Sequence, residues 1–451
     1  MKNRLKLLYL QIALLGLLLS NPIHTSEQQP ETWITVFVHG IMSIKPHLTL
    51  SNFVRVMTDN IQNSVYSDTI EIMRKDPLFY QNQAMQELGL IKIDLNVIRK
   101  GYASGAMANV FEIMSSFANE DRVLDNHYYT FGWSGLLSQK SRYIAAKELY
   151  TAVGLEVARF KEQGITPKIR IIGYSHGGNV LLNLASVAVN EPTLPVITVN
   201  ELVLLGMPVQ SETDHLINHP IFESIFNIYS RADRVQKMDL FSLNRFFSGR
   251  MFKRRKGFEL PDKLIQIQLK CTRNSKFAIG NEDKLTWGYN FKYNSVISGR
   301  SRYLRDSSPG HSELWFFSWT PSNYRQTFPL NPLPAAALIP LIVREARNFQ
   351  DKCWFERPTL IDIRPEHELV VIKNLRSKKT LTISQFLPLS EQKRAGDIAL
   401  QFAPDNFTAE RYTNSIQTAL ELSKESRMQQ RKEKRLARKH RRQLKRQAKY
   451  L

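Results

Sequence analysis

The segment 168–190 constrains the fold of this chain more than any other. It begins with the β-branched run Lys-Ile-Arg-Ile-Ile (168–172), passes through Gly-Tyr-Ser-His-Gly-Gly (173–178) and continues as an apolar stretch from Asn179 to Asn190. An apolar run, a glycine-rich break and a second apolar run predict a strand, a sharp turn and a helix. Small residues on both sides of Ser175 suit a strained turn, because larger side chains would clash there.

Further strands are predicted on both sides of this unit, with helical patterns between them. The predicted strands are 33–38, 128–131, 202–205, 226–229 and 263–270, and a helical pattern covers about 141–163. Alternation of strands and helices is typical of parallel βαβ units. We therefore predict an α/β fold with a mostly parallel sheet and helices on both faces.

The turn at 173–177 has the form G-x-S-x-G and makes Ser175 a candidate nucleophile. Serine is a weak nucleophile at its own pKa, so it needs a base that a third group orients. In chains with this turn, the acid follows the serine and the histidine follows the acid. Only three of the ten histidines come late enough in the chain to be that base: His311, His367 and His440. His367 enters a predicted strand and His440 lies in a basic tail. His311, in the turn Ser-Pro-Gly-His-Ser-Glu (308–313), is the predicted base.

Asp233 is the predicted acid of this set. It follows the strand 226–229, and a carboxylate just past the C-terminal end of a parallel strand lies on the ligand side of the sheet. Asp239 is its nearest rival, and a helix N-cap is the structural alternative for Asp233.

Two backbone N–H groups are predicted to form an oxyanion hole. One belongs to His176, and the other to the loop His-Gly-Ile-Met (39–42), with Ile41 favoured. Such a site needs no cofactor, and no Cys/His cluster has zinc spacing, so we expect neither a cofactor nor a metal. Cys271 and Cys353 form either one disulfide or two free thiols.

The residues 34–317 resemble the lipase and esterase branch of the α/β-hydrolase superfamily, above all its poorly characterised serine esterases. The similar stretches are Val-His-Gly-Ile (38–41), Gly-Trp-Ser-Gly (132–135), Gly-Tyr-Ser-His-Gly-Gly-Asn (173–179), Gly-Met-Pro-Val (206–209), Tyr-Ser-Arg-Ala-Asp (229–233) and Gly-His-Ser (310–312). The resemblance implies an α/β-hydrolase fold and a triad of Ser175, Asp233 and His311, the same residues that the chain order selects.

The predicted domain organisation places a hydrolase domain at 31–357, with an insertion at 43–125. The small, Met-rich stretch 101–117 is either a mobile lid or a helix packed on the sheet. We interpret 358–422 as a small appended unit and 423–451 as a basic tail. Substrate choice stays open, because the insertion, the segment 240–300 and everything after 358 depart from the resemblance.

Positive charge is concentrated at the chain ends. The protein carries a net charge of +21, and 424–449 alone holds thirteen Lys/Arg against two acids. This tail is either a basic helix on an anionic surface or a disordered solubilising segment. The candidate surfaces are a membrane, a cell-envelope polyanion and nucleic acid; nucleic acid is an unlikely partner for an exported protein. The oligomeric state is left open.

The first 26 residues predict export. Lys2, Arg4 and Lys6 precede the apolar run Leu7–Leu19, which is the layout of a secretory signal peptide. An uncleaved N-terminal anchor is the alternative, because no clear cleavage site follows. Both interpretations place the protein outside the cytoplasm, either periplasmic, extracellular or anchored to the membrane.

Together these features predict a serine hydrolase that cleaves carboxylic esters, with lipid esters among the candidates. The alternative is a non-catalytic, envelope-associated binding or scaffold protein on the same fold. A third interpretation keeps the triad but transfers the acyl group to an alcohol, and the sequence does not separate it from hydrolysis.

Overall fold

The computed structural model describes residues 30–42, 59, 61–62, 64–233, 235–237, 248–272, 308–319, 325, 328–352 and 358–447. Ten strands in this part of the chain form one sheet. They are β1 (Glu31–Val38), β2 (Gly89–Lys92), β3 (Leu124–Gly132), β4 (Lys168–Tyr174), β5 (Glu201–Leu205), β6 (Ile225–Tyr229), β7 (Leu264–Cys271), β8 (Thr359–Arg364), β9 (Leu369–Asn374) and β10 (Thr380–Ile383). Each strand predicted above overlaps one of them, and only 263–270 begins one residue before its strand, β7.

The strand order is β10-β9-β8-β7-β6-β5-β4-β1-β3-β2. The seven strands from β8 to β3 in this order run parallel. At the edges, β2 is antiparallel to β3, β9 is antiparallel to β8, and β10 is antiparallel to β9. The predicted α/β class with a mostly parallel sheet is therefore confirmed. Because β1 lies between β3 and β4, the chain reverses its direction of progress across the sheet there. In α/β sheets, ligands bind at the carboxyl ends of the strands beside such a reversal, here β1 and β4.

Eight α-helices surround this sheet in the described residues. They are α1 (Val65–Lys75), α2 (Ala103–Ala118), α3 (Gln139–Glu162), α4 (His176–Asn190), α5 (His311–Trp315), α6 (Ile339–Lys352), α7 (Leu389–Gln401) and α8 (Ala409–Gln447). Successive β1 residues face opposite layers: Phe37 packs in a core with α2, α6 and α7, while Val36 and Val38 pack in a core with α3 and α4. This alternation puts helices on both faces of the sheet.

The Met-rich stretch 101–117 forms α2, which is packed and not exposed. Met107 and Met114 are fully buried, and α2 contacts β3, α6 and α7. This corresponds to the helix-on-sheet interpretation. The surrounding insertion also supplies the edge strand β2, so part of 43–125 belongs to the main sheet.

The interpretation of 358–422 as a separate appended unit is corrected by the sheet pairing. β8 pairs in parallel with β7, and β9 and β10 continue the same sheet. Ile361 and Ile363 enter the core that also holds Phe37, which explains the apolar alternation in this segment. These strands extend the main sheet instead of forming a domain of their own.

The basic tail is helical as far as the structure describes it. Helix α8 starts at Ala409 and continues without a break to Gln447, so the disordered alternative does not hold for 423–447. The predicted signal or anchor at 1–26 lies outside the described residues. No described helix is both long and apolar enough to cross a bilayer.

Candidate active site

Ser175 lies at the carboxyl end of β4, on the turn that joins β4 to α4. It has φ 52° and ψ −130° and is the N-cap of α4. A positive φ is uncommon for a residue with a side chain and marks a backbone that its surroundings hold in place. Its N–H is bonded to the Leu205 carbonyl of β5 at 2.9 Å, which fixes the turn against the neighbouring strand.

The structure brings the three predicted triad residues together. The Nε2 atom of His311 lies 3.1 Å from Ser175 Oγ, and Nδ1 lies 2.7 Å from Asp233 Oδ2. Asp233 is completely buried, Ser175 is nearly so, and 18% of the His311 side chain is exposed. This geometry lets His311 accept the Ser175 proton while Asp233 orients its ring.

Asp233 is held on both its backbone and its side chain. It follows β6, and the Gln236 N–H donates to its Oδ1 at 3.3 Å. Arg250 donates to its backbone carbonyl from Nε at 3.0 Å. Asp239, the rival acid, lies outside the described residues.

Several residues position the loop that carries His311. Glu313 is completely buried and accepts from the Gly310 N–H at 2.6 Å and from Arg325 Nε at 2.6 Å. Ser230 Oγ donates to the Pro309 carbonyl at 2.5 Å, and Tyr174 donates its hydroxyl proton to the His311 carbonyl at 3.0 Å. These contacts tie the His311 loop to the ends of β4 and β6.

The loop after β1 approaches Ser175 closely at Gly40. A Cβ atom on Gly40 would lie 2.9 Å from the Cβ of Ser175, so no residue with a side chain fits there without a shift. Ile41, the predicted oxyanion donor, follows directly. His176, the other predicted donor, is the first residue of α4 and directly follows Ser175.

The ring of His39 lies behind this loop and is buried. Its Nδ1 lies 2.7 Å from the Gly40 carbonyl, while Arg74 Nη1 and the Trp133 N–H both approach Nε2 at 3.2 Å. Nε2 therefore accepts and Nδ1 carries the proton. Burial, and then the charge of Arg74, hold the pKa of His39 well below its ordinary value, so the ring is neutral.

The ring of His176 is also buried and points away from the triad. Its Nδ1 lies 2.9 Å from Nη1 of Arg142. This Arg142 nitrogen also donates a hydrogen bond to Gln210 Oε1 at 2.9 Å. This contact anchors the first residue of α4 to the start of α3.

Gly206 has a role that the sequence did not reveal. It has φ +61°, and a Cβ there would lie 2.8 Å from Leu314 Cδ1, 3.3 Å from Asp233 Oδ2 and 3.6 Å from His311 Nδ1. Its missing side chain thus leaves room for the Asp233–His311 hydrogen bond. The only sequence signal was its place in Gly-Met-Pro-Val, after a predicted strand.

The cavity and the cysteine that the structure describes take no part in this site. A cavity of about 530 Å³ lies between α1 and α8, but no triad residue lines it. Cys271 is buried at the end of β7 and is a free thiol, and Cys353 lies outside the described residues. Among the described residues, no group of three or more His, Cys, Asp or Glu could hold a metal ion.

Comparison with known proteins gives no relative. No family model matches the chain, and neither the curated proteins nor the solved structures contain a match.

Proposed function

We propose that this chain is a serine hydrolase with an α/β-hydrolase fold that cleaves carboxylic esters. One observation carries the proposal: His311 lies within hydrogen-bond distance of Ser175 on one nitrogen and of Asp233 on the other. This hydrogen-bonded arrangement, in which a histidine joins a buried carboxylate to a serine, is the one that activates a serine hydroxyl.

The positions of these three residues relative to the strands support the fold assignment. Ser175 follows β4 and Asp233 follows β6, while His311 comes after β7 in the chain. Serine, acid and histidine in this order, with the serine on a strand-to-helix turn, are characteristic of α/β-hydrolases. All three side chains lie beyond the carboxyl ends of parallel strands, where α/β sheets bind ligands.

The reaction would run in two halves. The Oγ of Ser175 attacks the ester carbonyl carbon as its proton passes to Nε2 of His311, and the carbonyl oxygen becomes an oxyanion. The N–H groups of His176 and Ile41 stabilise that oxyanion. Its collapse breaks the bond to the alcohol, which takes the proton from His311. Water then attacks the acyl-enzyme in the same way, so acid leaves and Ser175 regains its proton.

Labelling with a fluorophosphonate tests for an activated serine. We expect the wild-type protein to be labelled, and Ser175→Ala and His311→Ala to abolish labelling while the proteins stay folded by circular dichroism. Ser134→Ala is the matched control, since Ser134 also lies between glycines just after a strand, in Gly-Trp-Ser-Gly (132–135); it should label like the wild type.

A folded wild-type protein that stays unlabelled, even with detergent present, would contradict the proposal and favour the binding or scaffold alternative. Labelling that survives Ser175→Ala would place the reactive group elsewhere. If the expected pattern is found, esters of increasing acyl length identify the substrate class, and an added alcohol separates hydrolysis from acyl transfer.

A further inference from the structure

Helix α8 is fixed to the body over its first half and projects from it over the second. Thr69 Oγ1 lies 2.9 Å from Ser423 Oγ in a buried contact, and Arg427 donates to both oxygens of Asp68 at 2.5 and 2.8 Å. From 428 to 444 every residue is exposed. The projecting half is therefore a helix with solvent on all sides, held in a set direction by α1.

The cations of this projecting half all lie on one side of the helix. At 100° per residue, the Lys and Arg residues of 431–442 fall within an arc of about 180°. These eight residues, here called the cationic face, are Arg431, Lys432, Lys434, Arg435, Arg438, Lys439, Arg441 and Arg442. The opposite side holds uncharged residues and one acid: Gln429, Gln430, Glu433, Leu436, Ala437, His440, Gln443 and Leu444.

Nothing on the helix neutralises the cationic face. Glu433, the one acid of 428–444, lies on the other side and accepts a hydrogen bond from Gln429 at 3.0 Å. No residue of the cationic face takes part in an ion pair among the described residues. Pairs such as Arg431 with Arg435, or Arg438 with Arg442, place like charges four residues apart, which destabilises an isolated helix. An anionic partner would remove this repulsion.

We propose that the cationic face binds the surface of an anionic lipid bilayer. It is about 17 Å long, and its cations occupy one half of the helix surface, so they can approach a plane together. Exposed Met428 lies on the same side, where it can reach the interface. The N-terminal sequence also predicts export, which puts the protein beside a membrane and away from nucleic acid. This inference does not depend on the hydrolase activity.

Vesicle co-sedimentation of the full-length protein at pH 8 tests the proposal. We compare phosphatidylcholine vesicles with vesicles that contain about 30% phosphatidylglycerol, in low and high salt. The wild type should bind the anionic vesicles more tightly, and salt should remove the difference. The triple variant Arg435→Gln, Arg438→Gln and Arg442→Gln should bind them on the order of a hundredfold more weakly, since each cation near such a surface contributes independently.

A charge-matched control separates the cationic face from net charge. It carries the same three substitutions together with Gln429→Arg, Ala437→Arg and His440→Arg, which move three charges to the other side of the helix. We expect it to bind at least about tenfold more weakly than the wild type. All the changed residues are exposed, so the fold should be unaffected, and circular dichroism checks this.

Three results would overturn the proposal. Equal binding to neutral and anionic vesicles would assign membrane affinity to another segment. A control that binds like the wild type would show that only net charge matters. Tight binding to duplex DNA or RNA at physiological salt, without binding to anionic vesicles, would make nucleic acid the partner.

Discussion

The guanidinium of Arg74 lies 3.2 Å from Nε2 of His39, and both side chains are buried. His39 in turn donates from Nδ1 to the carbonyl of Gly40 at 2.7 Å. That carbonyl and the N–H of Ile41 belong to the same peptide group, and a hydrogen bond to the carbonyl strengthens the N–H as a donor. The series of hydrogen bonds from Arg74 through His39 to the Gly40 carbonyl therefore ends at the N–H of Ile41, which we expect to bind the oxyanion.

Arg74→Met should lower kcat more than it raises KM. Loss of a whole oxyanion donor costs about 10²–10³ in kcat, and weakening one should cost about tenfold. Steady-state kinetics on a p-nitrophenyl ester measures this effect. Arg170→Met is the matched control, because Arg170 is also buried but pairs with Glu201 near the start of β4. Arg170→Met should lower the free energy of unfolding and leave kcat unchanged. Equal losses of kcat in both variants would mean that Arg74 does not act through the oxyanion hole.

His39 also makes stability depend on pH. Its folded-state pKa is held below the ordinary value of 6.5, first by burial and then by Arg74. Below pH 6.5 the unfolded chain therefore binds a proton that the folded chain does not, so the free energy of unfolding falls as pH is lowered. The slope approaches about 1.4 kcal/mol per pH unit until the folded-state pKa is reached. Urea unfolding between pH 8 and 5 should show a steeper decline for the wild type than for His39→Gln, and parallel curves would contradict the assignment.

The parallel core of the fold could be predicted because strand and helix patterns alternate there without ambiguity. The runs that became β1, β4, β5 and β6 are rich in β-branched and aromatic residues, as strands are, although Arg170 and Asn227 interrupt the apolar pattern of β4 and β6. The strands β8 to β10 were harder to place, since their short alternating pattern fits an independent unit as well as an edge of the main sheet. Only the pairing of β8 with β7 distinguishes the two.

The three residues of the proposed triad could be predicted, because nucleophile chemistry and chain order leave few candidates for a set that the structure brings together. The residues that hold these three side chains in place could not be predicted. Arg74 and Glu313 are distant in sequence from Ser175. Only the folded chain shows that Arg74 contacts His39 in the loop after β1 and that Glu313 holds the turn of His311. A buried charged residue has no sequence signature that separates it from an exposed one.

Gly206→Ala should impair the active site beyond its effect on stability. The change puts a Cβ near Leu314 and Asp233 and imposes a side chain on a backbone with φ +61°. Gly164→Ala is the matched control, since Gly164 has φ +76° and nothing within 4 Å of the added Cβ. Both should lose about 1–2 kcal/mol of stability from backbone strain. Only Gly206→Ala should also lower kcat, because it displaces the Asp233–His311 pair; comparable kcat losses in the two alanine variants would mean that strain alone is responsible.

The buried ion pair between Glu313 and Arg325 should couple strongly in a double-mutant cycle. Glu313 is completely buried, while about a quarter of the Arg325 side chain is exposed. Arg325→Gln leaves a buried carboxylate without its counter-charge and should cost about 3–5 kcal/mol. Glu313→Gln should cost less, because water can reach the remaining guanidinium.

Urea unfolding of the wild type, both single variants and the double variant measures the coupling. The double variant should be more stable than the two single losses predict, by about 1–3 kcal/mol, because it leaves no unpaired charge. The exposed pair Lys393–Asp397 is the control and should show a coupling of about 0.3–0.5 kcal/mol. Since Glu313 holds the turn of His311, kcat should also fall in every variant of the buried pair and in none of the exposed one. A coupling at Glu313 no larger than that of the control would mean that the ion pair does not hold this turn.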